Sequence, residues 1–276
     1  MDWLDKAFAA AGAAAWGGAA FSGLAEGMVP EAVARAEALC PQPKTVLAAA
    51  FPYYAGDRPG NLSLYARGAD YHAVITRRLN TVCELLREKY PEDTFYPSAD
   101  SSPLPEREAA WRAGIGLRGE NGLLILPPYG TYVFLGTILT GAELPLPERP
   151  PAPACPGCGA CRAACPSGAL GAGGPDPSRC LSDLTQKKGA LTETEAARLK
   201  AHPLVWGCDF CQKACPYNAA PAPSPLPEFA ENLVDSLAPA DLEGLTNRTF
   251  REKYGGRAFA WRGPAPLRRN LSLSGE

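Results

Sequence analysis

The 276-residue chain is short of strongly apolar runs at its start, short of charge of one sign, and without a dinucleotide fingerprint. The uncharged segment Ala7 to Ala25 contains ten Ala and four Gly among nineteen residues. It lacks the Leu, Ile, Phe and Val that a membrane span needs. We read it as an Ala-rich packed helix broken near Gly17-Gly18, so no membrane partner is expected. A secretory leader needs a basic start, whereas this chain opens Met1-Asp2-Trp3-Leu4-Asp5. The expected compartment is a reducing cytoplasm. Net charge is only −2, so the whole-chain balance gives no sign of nucleic-acid binding. No G-x-G-x-x-G opens a helix after a strand, and Gly114-Ile-Gly116-Leu-Arg-Gly119 comes nearest, so no dinucleotide site is signalled.

Cysteine, by contrast, is abundant and clustered. Eight of the ten cysteines lie between Cys155 and Cys215. The first run, Cys155-Pro-Gly-Cys158-Gly-Ala-Cys161-Arg-Ala-Ala-Cys165-Pro166, has the C-x2-C-x2-C-x3-C-P spacing of bacterial ferredoxins. The second, Cys208-Asp-Phe-Cys211-Gln-Lys-Ala-Cys215-Pro216, repeats that spacing without its first cysteine, where Val205 stands. Cys180 lies between the runs and can supply the missing thiolate. In such runs the fourth cysteine ligates the other cluster. One 4Fe–4S cluster is therefore expected on Cys155, Cys158, Cys161 and Cys215. The other is expected on Cys165, Cys180, Cys208 and Cys211. Zinc ribbons use separated C-x2-C pairs rather than this run, and a disulfide framework belongs to exported chains. Two adjacent clusters form an electron wire, which implies redox chemistry nearby.

The rest of the chain reads as mixed α and β, an α+β or α/β layer domain. Residues 1 to 40 look helical, with Pro30 opening a second helix. Thr45 to Phe51 reads as a buried strand. Tyr71 to Tyr90 has helical periodicity, with Val74, Ile75, Leu79, Val82, Leu85 and Leu86 on one face. Glu106 to Ala113 reads as helix, and Leu123–Leu126 and Tyr132–Leu139 as strands. Leu144 to Ala154 holds five prolines and reads as a linker. The expected division is 1–150, a catalytic domain; 151–220, a two-cluster ferredoxin-like domain with a helix near Glu193 to Ala201; and 221–276, a basic C-terminal extension. Between Asn247 and Asn270 stand Arg248, Arg251, Lys253, Arg257, Arg262, Arg268 and Arg269 against one acid, Glu252. Phe250, Tyr254, Phe259 and Trp261 are interleaved. Arginine among aromatics is a composition that binds phosphates and stacks bases, although it also describes a solvated tail. Cys40 and Cys83 read as buried apolar residues.

Several longer motifs go beyond spacing. They are Leu64-Tyr65-Ala-Arg67-Gly-Ala-Asp70-Tyr71-His72, then Ser98-Ala-Asp100-Ser-Ser-Pro103-Leu-Pro-Glu106-Arg107 through Trp111 to Gly116. Downstream follow Trp206-Gly207-Cys208-Asp209-Phe210-Cys211 and Leu267-Arg268-Arg269-Asn270. In this order they resemble the signatures of the epoxyqueuosine reductase family, from about residue 44 to 270. The resemblance implies a cobalamin-binding front domain related to reductive dehalogenases and nitroreductase-like folds, followed by the ferredoxin-like domain. It implies reduction of epoxyqueuosine to queuosine in tRNA by cobalamin fed by the two clusters. An external electron donor, such as a flavodoxin or ferredoxin, would charge the wire.

Asp100 matches the family's proton donor, and a carboxyl beside an apolar corrin face is expected to have a raised pKa. Read without the resemblance, Asp100 is a helix cap or turn residue. Tyr65, Arg67, Tyr71 and Asn121 are the expected cofactor contacts. Glu106 and Arg107 read as an internal ion pair. Arg248, Arg251, Lys253, Arg262, Arg268 and Arg269 are the expected RNA contacts. Asp70-Tyr71-His72 starts like a D-x-H-x-x-G cobalamin motif, but position 75 is Ile, so His72 reads as a packed or surface residue. Glu120 replaces the family's common Lys, and many members continue past Arg-Arg-Asn into a helical-repeat domain. Other readings are a cobalamin-dependent reductase of a small epoxide or organohalide, and a ferredoxin-like carrier without catalysis of its own.

Overall fold

The computed structural model describes residues 2–146, 149–171 and 174–274. The chain forms two compact units: residues 1–52 with 71–156, and residues 53–70 with 157–276. This differs from the three segments expected. Residues 53–70 leave the front domain for the second unit, and the basic C-terminal stretch is part of that unit's core rather than an extension. The first unit closes with Cys155 and Pro156, so the chain passes between units inside the first cysteine run.

The first unit is built on a four-stranded antiparallel sheet, ordered Ala15–Ala20, Thr45–Pro52, Val133–Thr140, Phe95–Ser98. Every residue of the strand Thr45–Pro52 is buried, as its continuous apolar run predicts. The strand Ala15–Ala20 lies where a helix was expected. Alanine is the strongest helix former, but propensity amounts to under about 1 kcal/mol per residue and packing overrides it. The helix Glu106–Arg112 crosses this strand so closely that a Cβ at Gly17 would stand 2.6 Å from the Ala113 carbonyl. Small residues are there for close approach, not for helicity. The short strand Phe95–Ser98 was not anticipated, because four residues containing Pro97 carry little periodic signal.

The helix Tyr71–Lys89 agrees with its periodicity, burying Val74, Ile75, Leu79, Val82 and Leu86. Cys83 joins that face, while Leu85 is 40% exposed. Gly136 in the neighbouring strand has no room for a side chain, because Ile75 and Leu79 occupy that space. This close packing places Tyr71 and His72, at the helix's first turn, beside the sheet and the segment after Ser98. Of the expected linker, Pro147 and Glu148 lie outside the described residues. The remainder is strapped down: Ala152 N–H donates to Trp111 O at 2.7 Å, and Arg118 N–H to Pro153 O at 2.7 Å.

The second unit has a core of Leu62, Ala66, Val205, Trp206, Leu237, Leu242, Phe250, Tyr254, Phe259, Leu267 and Leu271. Phe250, Tyr254 and Phe259, expected as base-stacking aromatics, are therefore core residues. Its regular elements are short, which suits a unit organised around cysteine loops. The helix Glu193–Lys200 begins with a capping box between Thr192 and Glu195. Among the described residues no helix is long and apolar enough to cross a membrane.

Candidate functional site

In the first unit, the chain leaves Ser98, whose hydroxyl pairs with Thr137 Oγ1 at 3.0 Å, and turns at Asp100. Asp100 adopts a left-handed φ of 52°, a conformation Asp tolerates better than most residues. Tyr71 OH donates to Asp100 Oδ2 at 2.7 Å, and His72 Nε2 stands 3.7 Å from the same oxygen. The Asp100 backbone N–H donates to Glu106 Oε1 at 2.8 Å. Tyr71 lies flat on Phe134, with ring centroids 4.3 Å apart and planes 7° from parallel, and also stacks on His72 at 4.0 Å. The result is an aromatic surface with a carboxylate beside it. The Asp100 side chain is 67% exposed.

The electrostatics reverse one expectation. Burial pushes the Asp100 pKa up, but hydrogen bonds from His72 and Tyr71 and the charges of His72 and Arg107 outweigh it. Its pKa lies below the usual carboxylate value, not above it. Glu106 is the raised carboxyl. Burial pushes it up to about 8, against the lowering effect of the Asp100 N–H, and the Asp100 charge adds to the rise. The expected Glu106–Arg107 ion pair gives way to this arrangement, and Arg107 Nη1 donates to Gly122 O at 3.0 Å.

Of the expected cofactor contacts, the first unit keeps Tyr71 at the site. Asn121 is buried, its Oδ1 accepting the Leu123 N–H at 3.2 Å in the turn between Leu117–Arg118 and Leu124–Ile125. In the second unit, Tyr65 OH accepts a hydrogen bond from Gln186 at 3.4 Å. Arg67 is a correction. It is 4% exposed, donating from Nε to Leu62 O at 2.8 Å and from Nη1 to Arg58 O and Asp235. A buried guanidinium engaged in this way folds residues 53–70 and is not presented to a ligand.

The cysteine loops are the second candidate centre. Gly157 and Gly207 each precede a cysteine and have φ of 69° and 77°. The second run therefore keeps the backbone turn of the first, although Val205 replaces its first cysteine and is buried in the core. At Gly207 a side chain would also collide with Ser63. The short helices Ala160–Ala164 and Phe210–Lys213, carrying Cys161 and Cys211, pack together. Burial pushes the Cys208 and Cys211 thiols up to about 12, and the charges of Cys180 and Cys165 act on both. Cys161, expected at the other cluster, acts on Cys211 as well, so thiols expected at both clusters lie near one another. Among the described residues no three His, Cys, Asp or Glu are drawn tightly enough together to hold a single ion. A four-iron cube keeps its thiolates wider apart than one tetrahedral zinc does.

Asp209, beside Cys208, is a buried carboxylate not anticipated as an anchor. It accepts the Ser63 hydroxyl and, at 3.0 Å, the Leu64 N–H. The Trp206-to-Cys211 motif was the signal available for it.

The basic segment divides into two sets. Arg268 donates to Leu242 O and Leu245 O, Arg269 to Lys187 O and Gly189 O, and Arg257 to Arg67 O and Asn232 O. These arginines tie loops within the unit, with Arg268 still exposed and Arg269 half-buried. Asn270 is buried, donating to Thr185 O and Val205 O, both at 2.8 Å. The other cations differ. Arg248 pairs with Glu252, Arg251 lines the same surface cleft, Lys253 covers Tyr254, and Arg262 lies 3.6 Å over the exposed Trp261.

Comparison with known proteins fits both centres. The model for a 4Fe-4S double cluster binding domain matches residues 154–218, which makes this a double-cluster iron–sulfur protein. The model described as Epoxyqueuosine reductase QueG, DUF1730, matches residues 34–101. An epoxyqueuosine reductase of Listeria monocytogenes is 35% identical over 268 residues, covering 92% of this chain and 69% of the relative. One from Bacillus cereus is 36% identical over 251 residues, covering 86% of this chain and 64% of the relative. A crystal structure of epoxyqueuosine reductase with a tRNA-Tyr epoxyqueuosine-modified stem loop superposes with a TM-score of 0.84 at 28% identity, covering 99% of this chain and 80% of that one. The chain belongs to the epoxyqueuosine reductase family. It spans less than two thirds of the length of the Bacillus cereus relative.

Proposed function

We propose that this chain reduces epoxyqueuosine in tRNA to queuosine, using cobalamin supplied with electrons by two 4Fe–4S clusters. The observation that carries the reading is the pairing, in one family member, of a double-cluster domain with the Tyr71–Asp100 site on an aromatic surface. A half-buried aromatic stack with a carboxylate beside it suits a planar macrocycle and a substrate above it. Bound cobalamin would supply a strongly reducing, nucleophilic metal centre. Tyr71, Tyr65 and Asn121 are the residues assigned to contact it.

This chain's own residues handle the proton. Opening an epoxide C–O bond leaves an oxygen that must be protonated, and Asp100 is the group we assign to it. At rest its hydrogen bonds keep it ionised. Substrate covering its exposed carboxylate removes water and favours the neutral form, which is the form able to donate. The reduction takes two electrons and two protons and releases the oxygen as water.

One cluster is assigned to Cys155, Cys158, Cys161 and Cys215, and the other to Cys165, Cys180, Cys208 and Cys211. An external flavodoxin or ferredoxin would refill them, in a reducing cytoplasm. The tRNA would meet the exposed cations Arg248, Arg251 and Lys253 and the half-buried Arg262, with Trp261 as a stacking surface. The superposing structure that carries a tRNA stem loop supports tRNA over a small epoxide or organohalide.

The test is anaerobic purification with cobalamin supplied, followed by metal analysis and titration with the modified stem loop. About eight irons and about one cobalt per chain are expected. Stem-loop affinity should fall as salt rises. Eight irons without cobalt would leave an electron carrier instead.

A further inference from the structure

The site around Asp100 contains a second carboxyl that a single proton donor does not require. Glu106 opens the helix Glu106–Arg112, and its Oε1 reaches back six residues to accept the Asp100 N–H at 2.8 Å. That N–H belongs to the residue whose φ is 52°. The bond therefore fixes the turn that aims the Asp100 carboxyl at Tyr71 and His72. We infer that Glu106 is a positioning residue, holding Asp100 in its catalytic turn through the backbone N–H and not touching substrate itself. The inference rests on Asp100 being the group that meets the substrate.

Charge explains why the clamp is a carboxyl kept from ionising. Glu106 lies close enough to Asp100 to feel its charge, and burial keeps Glu106 protonated up to about pH 8. A neutral carboxyl accepts the N–H without setting a second negative charge beside the Asp100 carboxylate. The other charged or titratable groups around the pair, among the described residues, are His72 and Tyr71 from the helix Tyr71–Lys89 and Arg107 from the clamp's own helix. His72, Tyr71 and Arg107 stabilise the Asp100 carboxylate. Glu106 is the member whose ionisation would oppose it.

The test compares Glu106→Ala, Glu106→Gln and Asp100→Asn in the full chain loaded with both clusters and cobalamin. The first readout needs no turnover: hydrogen exchange at the Asp100 amide at pH 7. Exchange should quicken roughly tenfold or more in Glu106→Ala and return towards wild type in Glu106→Gln, whose carbonyl still accepts the bond. The second readout is the pH profile of kcat. Glu106→Ala should lower kcat roughly 10- to 100-fold with KM changed less than about twofold. Glu106→Gln should recover most of that loss and remove the inflection near pH 8.

Wild-type exchange and wild-type kcat in Glu106→Ala would overturn the inference. So would Glu106→Gln behaving like Glu106→Ala while keeping its iron. The two readings fail separately. Full turnover in Asp100→Asn would remove Asp100 as the acid, and amide exchange would still report on the clamp. An inactive Asp100→Asn beside an unaffected Glu106→Ala would remove the clamp alone.

Discussion

Tyr71 OH and Asp100 Oδ2 are hydrogen-bonded at 2.7 Å, and this bond helps keep the Asp100 carboxyl ionised at rest. Replacing Tyr71 with Phe removes a donor to the charged form, so the Asp100 pKa should rise. Carboxyl-resolved NMR titration of wild type and Tyr71→Phe measures this directly. An unchanged titration would mean the bond has no electrostatic weight.

Asp100→Asn keeps the shape of the side chain and loses its acid. Iron and cobalamin content should stay at wild-type levels, while kcat falls roughly 10²- to 10⁴-fold, the range for a positioned acid. Single-turnover kinetics on cofactor-matched samples reads the effect. Full activity would refute the proton-donor assignment.

Cys180→Ala removes one thiolate from the set assigned to one cluster, Cys165, Cys180, Cys208 and Cys211. Iron should fall from about eight to about four per chain, with one cluster's EPR signal lost and the other kept. Eight irons with both signals unchanged would exclude Cys180 as a ligand.

Asn270→Ala leaves the buried Val205 carbonyl without its Asn270 donor and Thr185 O with only the longer bond from Arg269 Nη2 at 3.5 Å. A loss of about 1–3 kcal/mol is expected for each uncompensated buried group. Denaturant unfolding measures it, and stem-loop affinity at fixed salt is the control. Weaker RNA binding without lost stability would return the closing Arg-Arg-Asn to the RNA surface.

Glu106 also links folding to pH. Its pKa rises from 4.5 to about 8 on folding, so the folded state holds a proton that the unfolded chain gives up. Its contribution is complete below about pH 4.5 and is lost as pH rises through about 8. The slope is at most about 1.4 kcal/mol per pH unit for one proton. Relative to Glu106→Gln, the wild-type thermal midpoint should decline between these pH values. Parallel curves would contradict the raised pKa.

The cysteine spacing was legible because cluster ligation is written in covalent distance along the chain. The helix Tyr71–Lys89 and the strand Thr45–Pro52 were legible because each buries a face with a clear period or a continuous apolar run. The strand Ala15–Ala20 was not, because its Ala and Gly answer to the helix packed across it and not to a local preference. Residues 53–70 joined the second unit through buried partners such as Arg67–Asp235 and Ser63–Asp209, which are distant in sequence. Arginine misled for a related reason. Its long side chain lets Arg257, Arg268 and Arg269 reach backbone carbonyls inside the unit, and composition does not distinguish that use from phosphate binding. Asp100 was singled out through its motif, but its charge state depends on Tyr71, His72 and Arg107 arriving from other turns.

The central claim is tested most directly by anaerobic turnover. The cluster-loaded, cobalamin-loaded protein is given a chemical reductant and an epoxyqueuosine-modified tRNA stem loop, and the nucleosides are analysed by mass spectrometry. The account predicts conversion to queuosine, a product lighter by one oxygen, dependent on cobalamin and abolished in Asp100→Asn. Unchanged epoxyqueuosine, with iron and cobalt fully loaded and the stem loop bound, would contradict it.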